Sequence, residues 1–245
     1  MHRFFMDEKG MIDGYAFLDS ADAYHAAKVL RLKKGDEVVL MDGKALYQAS
    51  VDSLDGGTVR CKIVHALPSP EASLHITLYQ GLPKADKLEW IVQKGTEAGI
   101  MAVYPINLSR CVSIIDGKDA PKKQERWQRI AREAAKQSGR AVIPQIHAPM
   151  TFTKALEQIK KHELVLVPWE EAQGFGPQMV HNTHPQAKDI AIVIGPEGGI
   201  TMEEVEMLKA KAGAVPITLG NRILRTETAG LAAVVALLAL YGDME

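Results

Sequence analysis

The spacing of apolar positions changes near residue 70. Before it the period is two. "EVVLMDGKALYQASVDSL" reads as two strands joined at Asp42-Gly43, a hairpin signal. "TVRCKIVHAL" (58–67) alternates as a third strand, and "DAYHAAKVLRLKKGD" reads as a short helix and a turn closed by Gly35. This predicts a small barrel or sheet. "PSPE" (68–71) reads as a linker. After it, strands and helices alternate. "LHITLYQ" (74–80) and "MAVYPIN" (101–107) are strand-like. "KADKLEWIVQKGTEAG" (84–99) sets Leu88, Ile91, Val92 and Gly95 at helical spacing, with Gly99 as a stop. In "APKKQERWQRIAREAAKQSG" (120–139), Trp127, Ile130, Ala131, Ala134 and Ala135 form one stripe ended by Gly139. Trp90 and Trp127 therefore both read as core. Then follow "AVIPQI" (141–146), a short helix at 152–161, "LVLVP" (164–168) and "IAIVI" (190–194). The order predicts an α/β domain with a mostly parallel sheet, whose last two strands are covered on both faces.

Two stretches do not fit a plain core. In "IAIVIGPEGGITMEEVEML" an apolar run stops at three glycines and a carboxylate. Thr201 with Glu204 forms a capping box, so a helix begins near Met202 and ends at Gly213. The loop is then a strand-to-helix turn at the carboxyl end of a parallel strand, the edge where ligands bind in open α/β sheets. A tight turn with no ligand would use the same glycines. It is neither a Walker A loop nor a G-x-G-x-x-G fingerprint, so Rossmann-type cofactor binding is poorly supported.

The second stretch is "VPITLGNRILRTETAG" (215–230). It reads as a short strand broken at Gly220, then a polar segment. Thr226 or Thr228 caps the helix "AGLAAVVALLAL". That helix is apolar nearly all round, which predicts burial inside the domain or against another chain. Asn221, Arg222, Arg225, Thr226, Glu227 and Thr228 crowd its mouth and must satisfy one another or a ligand.

Composition adds little. The 245 residues carry a formal net charge of −1, ordinary for a soluble protein. Charge is uneven, however. From Arg110 to Arg140 nine Lys/Arg face four Asp/Glu, a local net of +5. Such a block fits a polyanion footprint or a solvated helix face. Cys61 and Cys111 are far apart and lack metal-ligand spacing, which predicts a reducing compartment and no metal site. The start "MHRFFMDEKG" has no signal-peptide core, and the longest uncharged run, Thr228–Gly242, is short for a bilayer. A cytoplasmic protein is expected.

Together, "IGPEGGIT" and "LGNRILRTETA" resemble the two signature loops of the SPOUT-class ribosomal RNA methyltransferases of the RsmE family. "HRFF", "HAAKVLRLKKGD", "QKGTEAG" and "REAAKQSGR" are similar to the family's other blocks, so the resemblance covers most of the chain. One departure is Asn221, where many members carry proline. It removes no chemical group.

The resemblance implies a PUA-like RNA-binding β-barrel over 1–70 and, over 71–245, a SPOUT domain with a trefoil knot and a mostly parallel sheet. Topology rules argue against knots, so the knot comes from the resemblance alone. The implied cofactor is S-adenosylmethionine, held by three segments: Pro168, Trp169 and Glu170; Gly195, Pro196, Glu197, Gly198 and Gly199; and Leu219, Gly220, Ile223, Leu224, Arg225, Thr226, Thr228 and Ala229. The implied activity is methylation of N3 of uridine 1498 in 16S rRNA of the small ribosomal subunit, by a homodimer. No membrane or metal partner is implied.

For catalysis, Arg225 would stabilise negative charge on the uracil oxygens, while Glu197 or Glu227 would orient Arg225 or take the N3 proton. For RNA, the basic block from Arg110 to Arg140 and Arg3, Lys28, Arg31, Lys33 and Lys34 would contact phosphates. Lys84, Lys87, Lys94 and Arg140 are assigned to the active-site side of the RNA. Three rivals remain open: a non-catalytic RNA-binding or ribosome-assembly factor, a SPOUT methyltransferase with another RNA target, and a phosphate-binding α/β enzyme.

Overall fold

A computed structural model describes residues 1–115 and 119–244. Asp116 and Lys118 of the basic block lie outside the described residues. The chain divides into two compact units, Met1–Glu71 with Ala135–Ile143, and Ala72–Ala134 with Pro144–Glu245.

The first unit is a closed barrel. Its elements are β1 (His2–Ile12), β2 (Tyr15–Leu18), α1 (Ser20–Tyr24), β3 (Glu37–Met41), β4 (Leu46–Asp55) and β5 (Thr58–Leu67). The strand order is β1-β2-β5-β4-β3, closed by parallel pairing of β1 with β3. Closure leaves no free edge. Phe4, Val38, Leu40, Ala49, Val51, Val59 and Cys61 fill the interior. Burial pushes the Cys61 thiol up to about 12. Phe5, Val39, Met41 and Leu46 pack instead against Ala135 and Ala141. The predicted hairpin at Asp42-Gly43 is present, with Asp42 Oδ1 accepting from Lys44 N and Ala45 N. α1 is capped by Asp19 and passes directly into a π-helical turn, His25–Val29. Buried Asp22 accepts from Phe5 N at 2.8 Å and pairs with Lys136.

The second unit comprises β6 (His75–Gly81), α2 (Lys87–Ala98), β7 (Ala102–Asn107), α3 (Asp119–Ser138), β8 (Gln145–Ile146), β9 (Met150–Thr151), α4 (Phe152–Ile159), β10 (Leu164–Pro168), α5 (Pro177–Thr183), β11 (Asp189–Ile194), α6 (Met202–Ala212), β12 (Val215–Ile217) and α7 (Thr226–Leu240). The residues of α3 from Ala135 onward count with the first unit. The sheet runs β12-β10-β11-β6-β7-β8, with β9 also on β7, and every one of these pairings is parallel. β6 pairs with β11, although most of the unit separates them in sequence. The carboxyl ends of β6 and β11 meet closely, since a Cβ on Gly81 would lie 2.7 Å from the Pro196 nitrogen.

Several expectations need correction. Trp127 is buried, but Trp90 is 40% exposed. α7, expected to be buried inside the domain or against another chain, buries one face within this chain, through Thr226, Gly230, Ala233, Val234, Leu237 and Leu238. Its Leu231, Ala232, Val235 and Ala236 are half-buried, outside the parts of the helix that meet the sheet, α2 and α5. No threonine side chain caps α7; its N-cap residue is Arg225. In "AVIPQI" only Gln145–Ile146 is strand. α5 carries no strong apolar periodicity and goes unpredicted. Among the described residues, no helix is long and apolar enough to cross a membrane.

Candidate functional site

The loop after β11 is shaped by its own return. Gly199 N donates to the Pro196 carbonyl at 2.9 Å, and Gly199 takes a left-handed conformation, φ +74°. A Cβ on Gly195 would sit 2.7 Å from the Gly199 carbonyl carbon. Gly195 is thus required first by the tight turn and only second by any ligand. The expected capping box starts α6: Thr201 Oγ1 accepts from Glu204 N, and Glu204 Oε2 accepts from Thr201 N. Glu204 Oε1 also accepts from Ser109 N at 2.8 Å. Next to it, Arg110 donates to the Gly198 carbonyl at 2.8 Å.

The second stretch meets this loop. Arg225 is extended, and its carbonyl accepts from Thr228 N and Ala229 N, which opens α7. Thr226 Oγ1 donates to the Gly195 carbonyl at 2.6 Å and accepts from Gln80 Nε2 at 2.8 Å. Gln80 is completely buried at the end of β6 and also donates to the Gly81 carbonyl. Sequence reasoning missed it. Its signal was a lone amide closing an apolar strand, because a buried amide in a central strand needs partners.

Between the two stretches lies a cleft of about 330 Å³. It is lined by Lys87, Pro168, Trp169, Glu170, Gly195, Pro196, Glu197, Gly199, Ile200, Leu224, Arg225, Thr226 and Ala229, with Ile223 at its rim. An adjoining groove of about 480 Å³ shares the Pro168–Glu170 wall and adds Leu219, Gly220, Asn221 and Arg222. Residues of all three predicted segments thus line these two adjoining spaces, which share Pro168, Trp169, Glu170, Ile223, Leu224 and Ala229 and fall within the usual size of ligand sites. Gly198 and Thr228 line neither part. Glu227 does not line them either; it borders a small cavity between α2 and α7 with Trp90 and Ile91. Ile223 is 90% exposed, unusual for a large apolar side chain.

Charge in the cleft is organised around Lys87. Its Nζ lies 2.8 Å from Glu197 Oε1 and 3.4 Å from Glu227 Oε2. Lys84 N adds a hydrogen bond to Glu197 at 3.1 Å. Burial raises the proton affinity of Glu197, but Lys87 and the backbone N–H groups of Glu197 and Lys84 outweigh it and hold the carboxyl below its usual range. The hydrogen bond to Glu197 pushes the Lys87 ammonium upward, against desolvation. The two carboxylates therefore face Lys87 rather than Arg225, contrary to the orienting role expected of them.

The basic residues separate by environment. Arg3, Lys28, Arg31, Lys33 and Lys34 are exposed on the barrel unit, Arg31 with φ +53°. Lys84 and Arg110 are exposed in the second unit. Lys94 pairs with Glu97. Arg140 is only 5% exposed and grips Glu71 through Nε and Nη2. Lys136 is held by Asp22 over the Phe4 ring. Arg140 is thus an internal strut, buried against a carboxylate, and the partly exposed Lys136 is committed to Asp22.

The cleft and its groove offer backbone groups, the apolar side chains of Leu219 and Leu224, the carboxylates Glu170 and Glu197, and the cations Lys87, Arg225 and Arg222, with Glu197 already paired to Lys87. That lining suits a ligand with an apolar part and polar groups of both signs. Comparison with known proteins agrees with the architecture. Residues 70–238 match an RNA methyltransferase domain family and residues 18–64 an RNA methyltransferase PUA domain family. Ribosomal RNA small subunit methyltransferase E of Bacillus subtilis is 37% identical over 88% of this chain and 86% of its own length. The enzyme of that name from Mycobacterium bovis is 34% identical over 94% of this chain and 88% of its own. A crystal structure of the Neisseria gonorrhoeae enzyme bound to S-adenosyl methionine superposes with a TM-score of 0.82, at 30% identity, over all of both chains. The chain belongs to the RsmE family of SPOUT-class ribosomal RNA methyltransferases.

Proposed function

We propose that this protein transfers a methyl group from S-adenosylmethionine to N3 of uridine 1498 in 16S rRNA of the small ribosomal subunit. The observation that carries the reading is the single cleft enclosed by the 195–199 loop, the start of α7 and the Pro168–Glu170 segment. S-adenosylmethionine, when bound, supplies an electrophilic methyl group on a cationic sulfur. Main-chain groups of 195–199 and 219–225, with the side chains of Leu219, Leu224, Ala229 and Glu170, would hold it.

The protein's own residues do the rest. Uridine N3 carries a proton, so a lone pair must be freed. Arg225, at the cleft's mouth, stabilises the negative charge that spreads to the uracil oxygens. Glu197 lines the cleft and Glu227 does not, so Glu197 is the acceptor we assign for the N3 proton. Its low proton affinity makes it a weak base, so deprotonation leans on Arg225. Holding uracil and methyl donor in line supplies much of the acceleration.

The barrel of residues 1–70 serves as the PUA-like RNA-binding domain, with Arg3, Lys28, Arg31, Lys33 and Lys34 on phosphates. Residues 71–245 form the SPOUT domain, with Lys84 and Arg110 beside the target. A trefoil knot in the second unit is consistent with the 218–225 and 195–199 loops both lying against the end of β10. A homodimer, acting in the cytoplasm, accounts for the half-buried apolar side of α7 and exposed Trp90 beside it. The test is incubation with unmodified small subunits and methyl-labelled S-adenosylmethionine, then nucleoside digestion. Label in N3-methyluridine is expected. Label in a 2′-O-methyl nucleoside, or none, would overturn the reading.

A further inference from the structure

Methyl transfer as described leaves Lys87 without a step of its own, yet it is the most connected cation of the cleft. It stands at the start of α2, and its Nζ reaches carboxylates from two distant segments, Glu197 after β11 and Glu227 in the first turn of α7. All three side chains are mostly shielded, with exposures of 29% for Lys87, 27% for Glu197 and 19% for Glu227. Glu227 Oε2 is buried and has no hydrogen bond, so the Lys87 ammonium is its counter-charge. An isolated surface pair contributes little. Two carboxylates converging on one shielded nitrogen form a different arrangement.

We propose that Lys87 is a positioning residue of this site: its ammonium ties Glu197 to Glu227 and so sets the separation of the cleft walls before any ligand arrives. This rests on the cofactor reading above. Glu197 lies in one wall of the cleft, and Glu227, which borders the neighbouring α2–α7 cavity, follows directly on Arg225 and Thr226 of the other wall; the two walls otherwise meet through the hydrogen bond from Thr226 to Gly195 at the cleft floor. Without the cation, two like charges that now converge on one nitrogen repel each other, so their segments spread or one carboxyl takes up a proton. The groups bearing on Glu197 are Lys87 from α2, the N–H of Lys84 before it, Glu227 across Lys87, and Glu170 and Arg225 on the same cleft. Arg110 holds the neighbouring Gly198 carbonyl.

Charge and position make opposite predictions. Lys87, Glu197 and Glu227 together carry one negative charge. Removing the lysine makes the cleft more negative, which by itself would tighten binding of a cationic ligand. Loss of wall position weakens binding of any ligand that spans the cleft. The experiment is calorimetric titration of wild type, Lys87→Met and Lys87→Arg with S-adenosylmethionine and with S-adenosylhomocysteine, whose sulfur is neutral. Carboxylate NMR titration of the ligand-free proteins, with Glu197 assigned through Glu197→Gln, runs beside it. Lys87→Met is expected to weaken both ligands about tenfold and to move Glu197 titration upward. Lys87→Arg is expected to restore both. Unchanged affinity, tighter binding of S-adenosylmethionine alone, or a loss that arginine fails to restore would each overturn the proposal. Wild type that binds neither ligand would sink the cofactor reading, and the Glu197 titration alone would then decide the clamp.

Discussion

Thr226 Oγ1 donates a hydrogen bond to the carbonyl of Gly195 across 2.6 Å, joining the first residue of α7 to the end of the strand β11. The same hydroxyl accepts from buried Gln80, so three segments close on one oxygen. Thr226→Val keeps the shape and removes the hydroxyl, leaving the Gln80 amide and the Gly195 carbonyl short of a partner. The loss is expected to be about 1–3 kcal/mol, with weaker S-adenosylmethionine binding. Urea unfolding and calorimetry check it; unchanged stability would show that water replaces the hydroxyl.

Glycine positions at the site should respond oppositely to alanine. A Cβ on Gly81 would lie 2.7 Å from the Pro196 nitrogen, so the 195–199 loop must move. Gly81→Ala is expected to cost about 1–3 kcal/mol and to weaken ligand binding. On Gly230, inside α7, the nearest atoms would be 3.6 Å away, an ordinary contact. Gly230→Ala should stabilise by up to about 1 kcal/mol through helix propensity. Thermal melts of the two variants decide the contrast.

Glu197 has a folded-state pKa below its ordinary value, so it contributes stability that is present above the unfolded pKa and lost as pH falls through the folded one. Stability should therefore decline as pH drops below the ordinary Glu value of 4.5. Glu197→Gln should flatten that part of the curve. Lys87 is raised, so its contribution is full below the ordinary value of 10.5 and is lost as pH rises through the folded pKa. Denaturant midpoints measured across pH, wild type against Glu197→Gln, provide the check. Parallel curves would remove Glu197 from the acid limb.

Two classes of basic residue should separate by assay. Arg140→Ala leaves the partly buried Glu71 without its cation, and breaking a buried pair costs up to about 3–5 kcal/mol. Stability should fall first, and any loss of RNA affinity should follow it. Lys28→Ala and Lys33→Ala, at exposed positions, should leave stability unchanged. Each should reduce the slope of RNA affinity against salt by about 0.7–0.9 for every phosphate it no longer neutralises. Filter binding at several salt concentrations reads this out, and an unchanged slope would remove these lysines from the RNA surface.

Arg225→Ala tests the chemistry. Methyl transfer is expected to fall by about 100-fold or more, with S-adenosylmethionine affinity changing less. Single-turnover rates on small subunits separate the two. Full activity would take Arg225 out of the mechanism.

Local patterns in the chain determined much of this protein. The Asp42-Gly43 hairpin, the capping box at Thr201, the stops at Gly99 and Gly213 and the strands β10 and β11 depend on neighbours within a few residues, so spacing alone reveals them. The two odd loops were legible for the same reason: glycine and charge where an apolar run should continue. Long-range relations were decided only by tertiary structure. β1 carries charged residues that obscure its alternation, and it is a strand because β2 and β3 pair with it. Trp90 shares a helical stripe with core residues, but its position on α2 leaves it at the surface. Gln80, Lys87, Glu197 and Glu227 are distant in sequence and become neighbours because the parallel sheet brings the ends of β6 and β11 together against the start of α7. Arg140 and Lys28 look alike in a charge count; packing made one a buried strut and left the other in water, where phosphate can reach it.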